Sequence, residues 1–222
     1  MNILIFGGTG SLGEETTKYL QKMGHNVIVP VRKKNQSLVL NDLELLNELK
    51  DVEYKLDGVA WFQGANINDN VQSTELFAEI FEANTYFIVR SMKILFDLNL
   101  MNATARLLII SSVWQKLGKR NKFSYSVSKS AIAGIVKSVT ADYGSKGISI
   151  NAILPGVVNN KMTQANLTSG QIGKIQTETP LGKLVTPQEI ASIANWLLSP
   201  ESSGIAGQSI TVDNGWSDIR DI

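Results

Sequence analysis

"NILIFGGTGSLGEETTKYL", residues 2–20, sets the reading of the whole chain. Asn2–Phe6 is a short apolar run ending at glycines, which suits a strand buried on both faces. From Leu12 onward, Leu12, Tyr19, Leu20 and Met23 recur at helical spacing until Gly24 stops the run. Between strand and helix stand Gly7, Gly10 and Gly13 at a spacing of three. Glycines there permit a tight turn, close approach of backbone to a pyrophosphate, and close helix–strand packing. The helix N-terminus offers free N–H groups and positive dipole to an anion. Alone, such a trio is a weak signal, and an ordinary strand–helix turn is the plain alternative. Directly after an apolar strand and before a helix, it stands where a dinucleotide cradle needs it. Thr9, Ser11 and Leu12 complete that cradle.

The alternation continues outward. Asn26–Val31 reads as a second strand and Leu38–Leu40 as a possible third, followed by a helix over Asp42–Lys50. Gly58–Phe62 is strand-like, and Gln72–Leu100 is one long helical pattern. Arg106–Ile110 is a buried strand, Ser124–Tyr143 a helix, and Ile148–Leu154 a strand closed by Pro155 and Gly156. Thr186-Pro187-Gln188-Glu189 is a capping box opening a helix to Leu198, and Gln208–Val212 is the last strand. Strand–helix alternation implies right-handed crossovers and a parallel sheet covered on both faces. With no linker, repeat or low-complexity block, residues 1–222 read as one doubly wound α/β (Rossmann) domain.

Composition narrows the function. The chain has 222 residues, 43% of them hydrophobic, enough for a sizeable core. No apolar run is long enough for a membrane span, and the N-terminus lacks a basic region before its apolar run. With no cysteine, disulfides and thiolate metal sites are excluded. A single histidine, His25, argues against a histidine metal cluster or a Ser-His-Asp triad, and no metal site is expected. Net charge +1 makes no electrostatic case for nucleic acid or an anionic membrane. A soluble cytoplasmic protein is the expectation. After the second strand, where a carboxylate would bond the ribose 2′-hydroxyl of NAD, stand Val31, Arg32, Lys33 and Lys34. These cations favour a 2′-phosphate, hence NADP over NAD; a solvated basic loop is the alternative.

Within this frame "YSVSK" gains weight. Tyr125 and Lys129 stand at i and i+4 and share one helix face. A phenol is a poor acid at neutral pH, and an ammonium nearby would lower its pKa. Such a pair would move a proton to or from a carbonyl or alcohol oxygen.

With Tyr125 and Lys129 as Tyr-x-x-x-Lys, the chain resembles the short-chain dehydrogenase/reductase family. Ser112 stands at the end of the preceding strand, thirteen residues before Tyr125, where the family places its serine, with Ser111 as rival. Asn84 in "EANTYF" matches the family's asparagine, and Asn151, Pro155 and Gly156 match its Asn-x-x-x-Pro-Gly motif. Gly207-Gln208 and Asp213-Asn214-Gly215 resemble its C-terminal run. The resemblance implies Tyr125 as general acid, Lys129 as ribose ligand, Ser112 as a bond to the substrate oxygen, and Asn84 as holder of a relay water. For Asn84 the plain alternative is a bond to the helix backbone or a neighbouring strand. It also implies a sheet of about seven strands, and Gly64, Val158 and Asn160 as further cofactor neighbours. Homodimers or homotetramers would form through the helices of Asn84 and Tyr125, with Phe81, Phe87 and Leu95 as interface or core.

Three departures stand out. Phe6 replaces a threonine beside the glycine loop, whose spacing resembles the branch acting on nucleotide sugars. Trp61-Phe62-Gln63-Gly64 replaces Asn-Asn-Ala-Gly. The span between Arg32 and Gly64 is shortened. There "SLVLNDL" reads as the third strand, with the helix between strands two and three missing or reduced, and Asp42 and Leu43 beside the adenine. The alternative is that this stretch begins the helix and a strand is lost. Gln63, Asn66, Asn68, Trp114, Gln115 and Asn159 fall near the expected substrate mouth. The leading expectation is an NADP-dependent enzyme interconverting a carbonyl and a secondary alcohol on a small, polar substrate. The alternatives are a dinucleotide-binding regulator with little catalysis and a nucleotide-sugar-modifying enzyme.

Overall fold

The computed structural model describes residues 1–31 and 39–219. Among them six parallel strands form one sheet in the order β2-β1-β3-β4-β5-β6. The strands are β1 (Asn2–Phe6), β2 (Asn26–Ile28), β3 (Leu56–Trp61), β4 (Met101–Ile110), β5 (Ser149–Pro155) and β6 (Ser209–Val212). The helices are α1 (Ser11–Lys22), α2 (Asp42–Leu49), α3 (Phe77–Phe81), α4 (Phe87–Asp97), α5 (Phe123–Tyr143), α6 (Lys161–Asn166), α7 (Ser169–Glu178) and α8 (Pro187–Leu198).

The layering follows from strand pleat and crossover hand. Along β1, Ile3 and Ile5 face one layer while Leu4 and Phe6 face the other. The first layer holds α1 and α8, with Leu20, Ile190, Ala194 and Leu197 buried against the sheet. The second holds α2, α4 and α5, through Leu45, Leu49, Ile88, Leu95, Ile132 and Val136. A right-handed crossover from β1 to β2 puts α1 on one face; returning past β1 to β3 reverses direction and puts α2 on the other. The strand order therefore switches between β1 and β3, which opens a crevice at their C-terminal ends.

The shortened span resolves against the first expectation. Val39 and Leu40 are buried but not in a strand, whereas Asp42–Leu49 is a helix with a complete capping box from Asn41 and Glu44. Leu38 lies outside the described residues; among the described residues no third strand is seen at Val39 and Leu40, and the sheet there has six strands where about seven were expected. The helix that survives carries the chain from β2 to β3. Deleting a helix would bare an apolar sheet face, whereas deleting an edge strand only moves the edge inward. Among the described residues β2 is the edge, with Asn26 exposed and Val27 and Ile28 half-buried.

Other elements differ in detail. The long helix is α3 and α4 joined by a π-helical turn at Glu82–Tyr86. Phe87 and Leu95 are core residues of the single chain, and α6 and α7 follow β5 where no helix was read. Phe6 and Trp61 explain two of the sequence departures. Both are buried, their rings 5.9 Å apart, and Phe87 meets Phe6 edge-on at 5.4 Å. The Trp61 indole N–H donates to Ser91 Oγ at 2.9 Å, so the buried ring leaves no polar atom unpaired. No helix among the described residues is long and apolar enough to cross a membrane.

Candidate active site

The glycine loop lies at the switch point. Gly7 has φ +75°, and a Cβ on it would stand 2.3 Å from the backbone nitrogen of Gln63. A Cβ on Gly13 would stand 2.2 Å from the Gly7 carbonyl oxygen. These two glycines let the first loop close on both the exit of β3 and the start of α1. Gly10 caps α1 without any side-chain bond to its free N–H groups, and Thr9, Gly10 and Ser11 are exposed. That leaves an open cradle of N–H donors at the positive end of a twelve-residue helix. Beside it the Gln63 amide is buried with neither oxygen nor nitrogen partnered. An open N–H cradle and an orphaned amide fit a dinucleotide.

The catalytic candidates converge at the ends of β3 and β4. Lys129 is 4% exposed and donates from Nζ to the Ile110 carbonyl at 2.9 Å. Its ammonium lies 5.8 Å from the Tyr125 ring centre. Burial pushes its pKa down to about 8. The Tyr125 phenol is pushed up by burial, and the nearby Ser112 hydroxyl opposes that rise. The expected lowering of the phenol by Lys129 is not what this arrangement produces. The ammonium is held by Ile110, and the larger force on Tyr125 is the loss of water. Of the two serines, Ser112 meets the phenol, while the Ser111 hydroxyl points to the Lys129 carbonyl.

Asn84 is fully buried in the π turn. Its Oδ1 accepts from Ala65 N at 2.7 Å, and its Nδ2 donates to Ala65 O and Ser128 Oγ, each at 2.9 Å. The side chain is therefore spent clamping the loop after β3 to α5, the plain alternative for this residue. Gly64 lies in that clamp, where a Cβ would stand 3.0 Å from Asn84 Oδ1 and 3.6 Å from Lys129 Nζ. This is why the glycine is kept while its neighbours became Trp61, Phe62 and Gln63.

The remaining expected neighbours scatter more widely. Pro155 ends β5, and a Cβ on Gly156 would stand 2.6 Å from that of Asp213. Val158 is buried and bridges to Val185, and Asn160 spends its side chain capping α6. Asp42 begins α2 and pairs with Arg90, next to Leu43, whose side chain is outside the described set. Arg32 and Lys33 also lie outside the described residues. Trp114 is half-buried and meets Trp216 edge-on at 5.7 Å. Gln115 is tied to Ser209 on β6, Asn159 accepts from Gln164, Asn68 is exposed, and Asn66 accepts from Lys122 Nζ at 2.6 Å.

The family model described as enoyl-(acyl carrier protein) reductase matches residues 43–217. The chain belongs to the short-chain dehydrogenase/reductase family. It is an oxidoreductase of that family, whose members use nicotinamide dinucleotides. It is 26% identical to the oxidoreductase YmfI of Bacillus subtilis, across 96% of this chain and 97% of that one. It is 28% identical to the 3-oxoacyl-[acyl-carrier-protein] reductase FabG of Buchnera aphidicola, across 89% and 80%. The fold matches a putative gluconate dehydrogenase from Agrobacterium tumefaciens with TM-score 0.89 at 18% identity, over 99% of this chain and 96% of that one. It also matches a short-chain dehydrogenase family protein from Francisella tularensis with TM-score 0.84 at 24% identity, over 97% and 98%.

Two positioning residues of this short-chain dehydrogenase/reductase escaped the sequence reading. Asp69 is buried in the loop after β3; it accepts from Ser124 N at 3.0 Å and from the Ser124 hydroxyl. It caps α5 from 55 positions away, because Lys122 at the N-cap makes no side-chain cap. Ser128 links Asn84 to the Tyr125 carbonyl. No local pattern marks Asp69, whereas Ser128 stands inside the motif already quoted.

Proposed function

We propose that the chain reduces the carbonyl group of a small polar compound to a secondary alcohol, with NADPH. The observation that carries this reading is the Ser112–Tyr125 hydroxyl pair, backed by buried Lys129, beside the glycine cradle. Two neighbouring hydroxyls can both donate to one substrate oxygen, which favours a carbonyl over a carbon–carbon double bond. The printed activity of the FabG relatives, reduction of a 3-oxoacyl group, is of the same class.

When bound, the dinucleotide supplies the hydride for the carbonyl carbon. Tyr125 then gives its phenolic proton to the carbonyl oxygen, and burial keeps that proton in place at neutral pH. Ser112 orients the substrate oxygen against the phenol. Lys129 would hold the nicotinamide ribose and offset charge as the phenol loses its proton. Gln63 supplies a donor and an acceptor that otherwise stay unpaired. Arg32 and Lys33 follow β2 in sequence and favour the 2′-phosphate of NADPH. Exposed Tyr86 at the end of the π turn and Val89 on α4, with Val127 on α5, support pairing into a homodimer or homotetramer.

The test is incubation with NADPH and a panel of aldehydes and ketones, followed by absorbance at the reduced-nicotinamide band. Consumption that disappears in Tyr125→Phe supports the reading. Binding of NADPH without turnover of any carbonyl would leave a regulator instead.

A further inference from the structure

Of the four cations between Ser112 and α5, Lys116 bonds to Thr211, while Lys119, Arg120 and Lys122 have no place in that mechanism. Among the described residues none of them forms an ion pair. Lys122 is half-buried, and its ammonium lies 5.9 Å from the Tyr125 ring centre. It donates to Asn66 Oδ1 at 2.6 Å and to the Ile67 carbonyl at 3.2 Å. An ammonium has three donors, so one is left. The Lys119 ammonium stands 5.1 Å over the ring of Trp114, two residues beyond Ser112. One cation thus stands near the Tyr125 ring, and the other over the ring of Trp114, which follows Ser112 by two positions.

The pair is poorly compensated. Burial first, and repulsion from Lys119 second, push the Lys122 pKa down; Asp69 pulls the other way. The Asp69 oxygens are already taken by the Ser124 N–H and O–H. Two ammonium groups beside a partly water-excluded site are unfavourable alone and are relieved by an anion between them.

We propose that Lys122 and Lys119 form an anion subsite at the mouth and that the substrate is a small oxo acid. Its carboxylate takes the free Lys122 donor, with Lys119 facing it, while its carbonyl lies against Ser112 and Tyr125. The closeness of Lys122 to the Tyr125 ring demands a carboxylate only a few bonds from the carbonyl. This inference rests on the carbonyl-reductase reading and adds the charge of the substrate to it.

Matched pairs differing only in charge test it: acetoacetate and laevulinate against their methyl esters, each with NADPH. The acids are expected to show about tenfold higher kcat/KM, carried by KM, the worth of one charge-assisted hydrogen bond. That preference is expected to shrink as ionic strength rises. Lys119→Met is expected to raise KM for the acids and leave the esters unchanged, and Lys122→Met, which also loses its bonds to Asn66 and Ile67, to raise KM more for the acids than for the esters. A mere brace at Lys122 would affect acid and ester alike, and Lys119 is exposed, so its variant does not endanger folding. Esters reduced as well as acids, or equal losses on both, overturn the subsite and leave the reductase reading intact. If no carbonyl compound is reduced, the reductase reading falls, and the subsite is decided by binding alone. Saturable change of tryptophan fluorescence with acetoacetate, weakened in Lys119→Met, supports it; no saturable change overturns it.

Discussion

The segment from β4 into α5 and the segment from β2 into β3 are built under opposite constraints. In the first, chemistry fixes the spacing. Ser112, Tyr125 and Lys129 must meet, Gly64 must leave room for Lys129, and Asp69 must hold the start of α5. In the second, beyond Arg32 and Lys33 at its start, the described residues answer to packing, and packing has more than one solution. Phe6, Trp61 and Phe87 fill one layer, α2 covers the sheet face, and among the described residues β2 is the edge of the sheet. An edge strand is dispensable where a covering helix is not.

The contrast breaks first, if it breaks, at Gly7. Gly7→Ala places a Cβ against the backbone of Gln63 in a left-handed conformation. It is expected to destabilise by about 3 kcal/mol or more and to abolish dinucleotide binding, seen in denaturant titration and in NADPH fluorescence. Unchanged stability would mean that the loop is looser than described.

Lys129→Met is expected to divide function from stability. In the unfolded chain a lysine titrates near 10.5, and in the folded protein Lys129 titrates at about 8. Below pH 8 both states carry the charge, and the full penalty of burying it is present. Between about 8 and 10.5 the unfolded chain binds more protons, so stability rises with pH. The variant should thus gain about 1–3 kcal/mol at pH 7, after loss of the bond to Ile110, and lose that advantage above pH 10.5. Its reductase activity should fall sharply. Chemical denaturation of both proteins across pH reads the first effect.

The two helix caps sharpen the comparison further. Asp69→Ala removes a long-range cap from α5 and is expected to lower stability by about 2 kcal/mol and also to lower kcat. Asn41→Ala removes the local cap of α2 and is expected to lower stability by about 1 kcal/mol with kcat unchanged. Equal effects of both on kcat would mean that the shortened segment is not separate from the site.

Legibility in the sequence follows the same division. The glycine loop, Tyr125 and Lys129 were readable because their partners lie within a turn or two, where spacing becomes geometry directly. Ser112 was separable from Ser111 only once the phenol was seen to meet it. Asn84 was found, but its bonds to Ala65 and Ser128 depend on how the exit of β3 packs on α5. Asp69 was invisible, since its partner is 55 positions away and nothing local marks a capping residue. Reading "SLVLNDL" as a strand followed from its apolar residues, yet Asn41 and Glu44 already spelled a capping box. Helix α7 carried the same kind of signal in Thr168 and Gln171.

The central claim is that a phenol held by Ser112 and backed by Lys129 protonates a carbonyl as it receives a hydride. Its most direct test follows NADPH deuterated at the transferring position into a reduced ketone, by NMR of the alcohol. The account predicts deuterium on the carbinol carbon with the native protein and none with Tyr125→Phe, which should still bind NADPH. Alcohol formed without deuterium, or formed equally by the Tyr125→Phe variant, would contradict it.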